Sequence, residues 1–139
     1  EARMMVLFAG VMAQTLSSAG VDKPKAIAIL KGALGAEHDY AKVKELQHLL
    51  RNICYPETDA GSAERVATEL KTLTDRVWDR TQTLVEDQAD TIIELGRLLV
   101  DGMTIVEQWG RAADTYEVVF TRDVLERLPI VQAIPLMHV

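Results

Sequence analysis

The sequence is short of the residues that would narrow its function fastest. It has one cysteine, Cys54, three histidines and four prolines. A single cysteine excludes an intramolecular disulfide and any multi-cysteine zinc site. It also suits a reducing compartment, which leads us to expect a cytoplasmic protein. With no charge partner that the sequence can place, Cys54 reads as a small buried hydrophobe rather than a nucleophile. Aromatic residues are only 5% of the chain, so Leu, Val, Ile, Ala and Met must fill the core. No apolar run reaches the roughly 20 residues that a membrane-spanning helix needs. The stretch Met4 to Ala13 has some likeness to a signal-peptide core. Glu1 beside it and the lack of a small-x-small cleavage site make a core helix the better reading. A start at Glu1 rather than Met is compatible with removal of residues upstream. Nucleophile-elbow, phosphate-loop and dinucleotide-binding motifs are absent, as are hairpin signals of the Asn-Gly or Asp-Gly type between alternating strands.

What the chain does contain is helical periodicity. At 139 residues and 48% apolar content it reads as one soluble globular domain that needs no metal to fold. Met4, Leu7, Phe8, Val11, Met12 and Leu16 fall at helical spacing over residues 3–18, with apolar residues nearly all round, as in a helix buried at a bundle's centre. Gly20 ends it. Asp22 is placed to cap a second helix with Pro24 in its first turn, and Gly35 to stop it. A third helix is expected over residues 39–54, with Val43, Leu46, Leu50 and Ile53 facing inward. Pro56 to Gly61 form the clearest loop.

Beyond that loop the periodicity runs for about fifty residues. Val66, Leu70, Leu73 and Val77 form one register; Leu84, Gln88, Ile92, Leu95, Leu99, Met103 and Val106 form another, with an eleven-residue repeat. An unbroken helix of that length would span about 75 Å. A break is therefore expected near residues 80–83, where Thr83 and Glu86 have capping-box spacing. Helix continues through Tyr116 to Phe120, Thr121 caps a last helix ending at Leu128, and Pro129 and Pro135 impose an extended apolar tail. The expected fold is all-α, a bundle of five or six helices with long C-terminal helices. Its parts are a short-helix half (1–55), a loop (56–61), a long-helix half (62–128) and the tail (129–139).

The net charge of −6 is unevenly spread. Residues 1–58 carry seven basic and six acidic side chains; residues 59–139 carry eight and fifteen. An acidic surface repels phosphate, so nucleic acid is not an expected partner. Lys23, Lys25, Lys31, Lys42 and Lys44 read as solvated lysines.

Candidate chemistry is sparse. Glu45 and His48 have the spacing of a carboxylate-bridged metal pair, but the second pair such a site needs is missing. Glu86, Asp90 and Glu94 lie on one helical face and are the only metal candidates, for hydrated Mg²⁺. A solvated face is the plainer reading, and neither a metal nor any other cofactor is expected. The other candidates form a partner surface. A seam of Leu84, Gln88, Ile92, Leu95, Leu99 and Met103 is interrupted by one polar residue, as in register-setting helix pairs. Trp78 and Trp109 are candidate anchors. The tail residues Ile130, Ile134 and Leu136 must dock on this chain or another. The leading expectation is therefore a non-enzymatic protein–protein interaction module, regulatory or assembly in role, homodimeric or bound to another protein. One alternative is a small Mg²⁺-dependent nucleotide hydrolase using the acidic face. Another is a helical small-ligand-binding regulator with Met4, Met5, Phe8 and Met12 around its pocket.

Overall fold

A computed structural model of the chain describes residues 1–33, 37–56, 62–106, 115–117 and 119–134. It is mostly helical and all-α in class. The chain divides into two compact units, Glu1–Ala89 and Asp90–Val139. The loop that divides the sequence by charge falls inside the first of them.

The first unit opens with helix α1, Ala2–Ala13. Met4, Phe8, Val11 and Met12 are buried at helical spacing, but Val6, on the opposite side, is 72% exposed. Helix α1 is therefore one-sided, not buried all round. It also ends earlier than its periodicity suggests. Leu16–Ser17 (β1) pairs antiparallel with Gly20–Val21 (β2), with Leu16 opposite Val21 and Ser17 opposite Gly20. Gly20 does adopt a positive φ of 97°, but in this hairpin rather than as a helix cap. The Ser17 hydroxyl stabilises the turn: it accepts from the Ala19 N–H and donates to the Gly20 carbonyl, both at 3.2 Å.

Helix α2, Lys23–Ala28, starts as its sequence predicts. The Asp22 carboxylate accepts the Lys25 N–H at 3.0 Å, and Pro24 sits in the first turn. A π-type turn, Ile29–Ala33, follows, where Gly32 leaves helical geometry at φ 110°. Gly35 lies outside the described residues. Helix α3, Glu37–Cys54, buries Val43. Leu46 and Leu50 are only half-buried and Ile53 is 74% exposed, so its expected inner stripe is covered at one end only. Cys54, expected to be buried, is exposed at the helix's last position.

Helix α4, Ala63–Asp87, is the backbone of this unit, and α1 packs chiefly against it. It corrects the expected break at 80–83. Val77, Thr81 and Val85 are all buried at i, i+4 and i+8, so the apolar stripe passes through this segment without changing register. The capping box does not form. Thr83 donates back to the Asp79 carbonyl at 3.1 Å, an intrahelical bond, while the Glu86 carboxylate is used elsewhere. The helix ends instead at Gln88, whose ψ of 18° leaves the helical range. Phe8 and Trp78 tie α1 to α4, their ring centroids 5.0 Å apart and their planes tilted by 57°, within the favourable range for aromatic pairs.

The second unit starts with helix α5, Ala89–Asp101. Where the periodicity predicts further helix, the described residues 104–106 and 115–117 are strands. Thr104–Val106 (β3) pairs antiparallel with Thr115–Glu117 (β4), Ile105 opposite Tyr116. β-branched and aromatic residues suit paired strands. Three-residue strands carry too little alternation to register in the sequence, which is why the spacing there predicts helix. Helix α6, Arg122–Arg127, follows Thr121 as expected, although the Thr121 side chain makes no capping bond. Helix α7, Pro129–Gln132, is a single turn with Pro129 in its first position. The tail is thus not extended over these residues, because proline at a helix start already holds the required φ.

Candidate functional site

Three features of the described residues could carry function. The first is the Glu86 carboxylate. Its position near the end of α4 brings it to the β1–β2 hairpin, where Oε1 accepts the Val21 N–H at 3.0 Å and the Gln82 side-chain amide at 3.0 Å. These two donors favour the charged form and hold the carboxyl below its usual pKa. Its approach is close enough that a Cβ added to Gly20 would lie 2.9 Å from Oε1. Glu86 therefore fastens a hairpin sixty-five residues away in sequence. Asp90 and Glu94 are exposed on α5. No cluster of three or more His, Cys, Asp or Glu placed to hold a metal ion occurs among the described residues. Glu45 and His48 are exposed on α3.

The second feature is a cleft of about 590 Å³ within the first unit. Its apolar wall includes Phe8, Leu30, Val43 and Trp78, with Ile27 and Tyr40 beside them. Lys23, Lys31, Lys44 and Lys71 line it together with Asp75 and Asp79. Lys23 pairs with Asp79 at 3.3 Å and Lys71 with Asp75 at 2.5 Å. Lys44 lies 5.4 Å from the Tyr40 ring centroid, in cation–π range. The Trp78 indole N–H is buried without a hydrogen-bond partner. This is not the pocket expected from Met4, Met5, Phe8 and Met12. Met4 and Met12 are wholly buried core residues, and of the four only Phe8 reaches the cleft.

The third feature is α5. Six of its residues, Ile92, Ile93, Leu95, Leu98, Leu99 and Val100, are large and apolar, yet none of its residues is buried. Glu94, Arg97 and Asp101, at i, i+3 and i+7, mark a polar face, while Val100 is 60% exposed. Of the expected seam, Leu84 and Gln88 are half-buried around the end of α4, Ile92, Leu95 and Leu99 are half-buried on α5, and Met103 is exposed. The strand at 104–106 ends the helical seam before Val106. Ile130 is half-buried and Ile134 exposed. Trp109 and Leu136 lie outside the described residues.

Sequence reasoning found the amphipathic helix and its seam, because a 3.6-residue period is a one-dimensional signal. It missed the cleft. The cleft's walls come from α1, α2, α3 and α4, and no local pattern links Trp78 to Lys31 or Lys44. No known protein family, curated protein or solved structure matches the chain. No helix among the described residues is long and apolar enough to cross a membrane.

Proposed function

We propose that this protein is a non-enzymatic interaction module that self-associates through the apolar face of α5, in a regulatory or assembly role. The observation that carries the reading is that α5 carries six large apolar side chains and buries none of them: Leu98 and Val100 are exposed, and Ile92, Ile93, Leu95 and Leu99 are only half-buried. Apolar area left in water forgoes about 25 cal/mol for each Å², so a helix whose apolar side chains are all incompletely covered gains by packing against a partner. A second copy supplies the same face by symmetry. Two α5 helices packed along Ile92, Leu95 and Leu99 then form the centre of the helical bundle that the sequence leads one to expect. In this reading Gln88 and Met103 extend the seam along the sequence, and the apolar tail residues Ile130 and Ile134 are further contacts for the partner. The single exposed thiol of Cys54 suits a reducing compartment, and we place the protein in the cytoplasm.

The test is the solution molar mass across micromolar concentrations, for the wild type and for the pair Leu95→Glu and Leu99→Glu. The expected result is a dimer that the double substitution returns to a 15.4 kDa monomer without loss of the α4-based core. A wild type that stays monomeric up to about 100 µM would remove the dimer, since that concentration requires only about 5 kcal/mol of association free energy.

A further inference from the structure

The cleft of the first unit has the construction of a ligand site rather than of a packing defect. Its volume of about 590 Å³ falls in the range of small-molecule pockets, roughly 300–1,000 Å³. Packing defects in protein cores are far smaller. Its wall is apolar and partly aromatic, and its charged groups are four lysines and two aspartates.

Charge decides the class of ligand. Both carboxylates in the lining are already neutralised locally: Asp79 by Lys23 and Asp75 by Lys71. That leaves Lys31 and Lys44, which make no ion pair among the described residues. The excess is therefore two positive charges beside an apolar wall, on a protein whose net charge is −6. The other polar signal is Trp78. It is only 7% exposed, it lines the cleft, and its buried N–H has no partner. An indole N–H is a donor with no acceptor capacity. Left unpaired in the interior it costs about 1–3 kcal/mol; the nitrogen is closed to solvent, so Trp78 meets a molecule in the cleft through its ring, and its N–H serves as a reporter.

We propose that this cleft binds a small amphipathic carboxylate: an aromatic or branched aliphatic body against Phe8, Val43 and Trp78, and a carboxylate against Lys31 and Lys44. An apolar body alone would leave both lysines unused. A phosphate-rich polyanion would gain nothing from the apolar wall. A cation would meet the uncompensated lysines.

A suitable probe is 3-benzoylpropionate, which carries a phenyl ring, a ketone oxygen and a carboxylate. Its uncharged carboxamide is the comparison. Binding is followed by calorimetry and by the indole N–H resonance of Trp78, assigned by its loss in Trp78→Phe. The acid is expected to bind saturably and move that resonance. Its carboxamide should bind roughly tenfold more weakly or worse, since a charged hydrogen bond is lost. Lys31→Gln with Lys44→Gln should weaken the acid by a similar factor. Both lysines are exposed, so an unchanged melting temperature confirms that this variant is folded. Equal binding of acid and carboxamide, unchanged affinity in the double variant, a static indole resonance, or no binding at millimolar probe would each overturn the proposal.

Discussion

Glu86 illustrates how a side chain can be legible in type and illegible in role. Its spacing from Asp90 and Glu94 suggests a metal face, and its spacing from Thr83 a capping box. In the folded chain its carboxylate instead accepts the Val21 N–H and the Gln82 amide. This has a consequence for acid stability. The carboxyl titrates below its usual value in the native state, whereas an unfolded glutamate titrates at about 4.3. Its contribution is therefore fully present above the unfolded value and is lost as the pH falls through the lowered native value. Glu86→Gln should be less stable than wild type at pH 7, and the two should converge on acidification below the native value. Urea unfolding midpoints at pH 7 and pH 3 measure both; a difference independent of pH would mean that the charge plays no part. Tyr55 shows the same logic in reverse. Its hydroxyl donates to Glu69, and that bond to the neutral phenol raises its pKa.

At the scale of elements, the first hairpin depends on one backbone conformation. Gly20 has φ 97°, a region costing a residue with a Cβ about 1–2 kcal/mol. The added Cβ would also meet the Glu86 carboxylate, which must move and loosen its bond to Val21. Gly20→Ala is expected to destabilise the fold by about 1–2 kcal/mol, read as a lower urea midpoint at constant slope. A loss of less than about 0.5 kcal/mol would show that the hairpin does not hold residue 20 at a positive φ in solution. Helix α4 itself was half legible. The stripe Val66, Leu70, Leu73 and Val77 is visible in sequence, but its continuation runs through Thr81, a polar residue. Thr81 is buried because its hydroxyl donates to the Val77 carbonyl at 2.7 Å, which satisfies the one group that would oppose burial. A pattern count that excludes threonine sees a gap there and infers a break.

At the scale of the whole molecule, burial is concentrated. The buried apolar residues described, from Met4 to Val85, all belong to Glu1–Ala89. A chain cut after Ala89 should therefore keep its helical circular dichroism and melt cooperatively near the temperature of the full protein. Failure of the fragment to fold would mean that residues 90–139 supply burial that the first unit requires. The uneven charge adds to the contrast. The cleft with its surplus lysines lies in the first unit, and the helix with uncovered apolar side chains opens the second. Ligand recognition and self-association are thereby assigned to different stretches of one chain.

The sequence by itself determined the mostly helical, all-α class, the Asp22 cap and the helical spacing of Ile92, Leu95 and Leu99. Each is a short-range property, written in the spacing of neighbours along the chain. The tertiary structure alone decided where α1 ends, that α4 continues through residue 83, that Glu86 fastens a hairpin, and that Trp78, Lys31 and Lys44 line one cleft. Those outcomes depend on which surfaces meet. A hydrogen bond or a cavity between residues dozens of positions apart leaves no periodic trace in the chain that forms it.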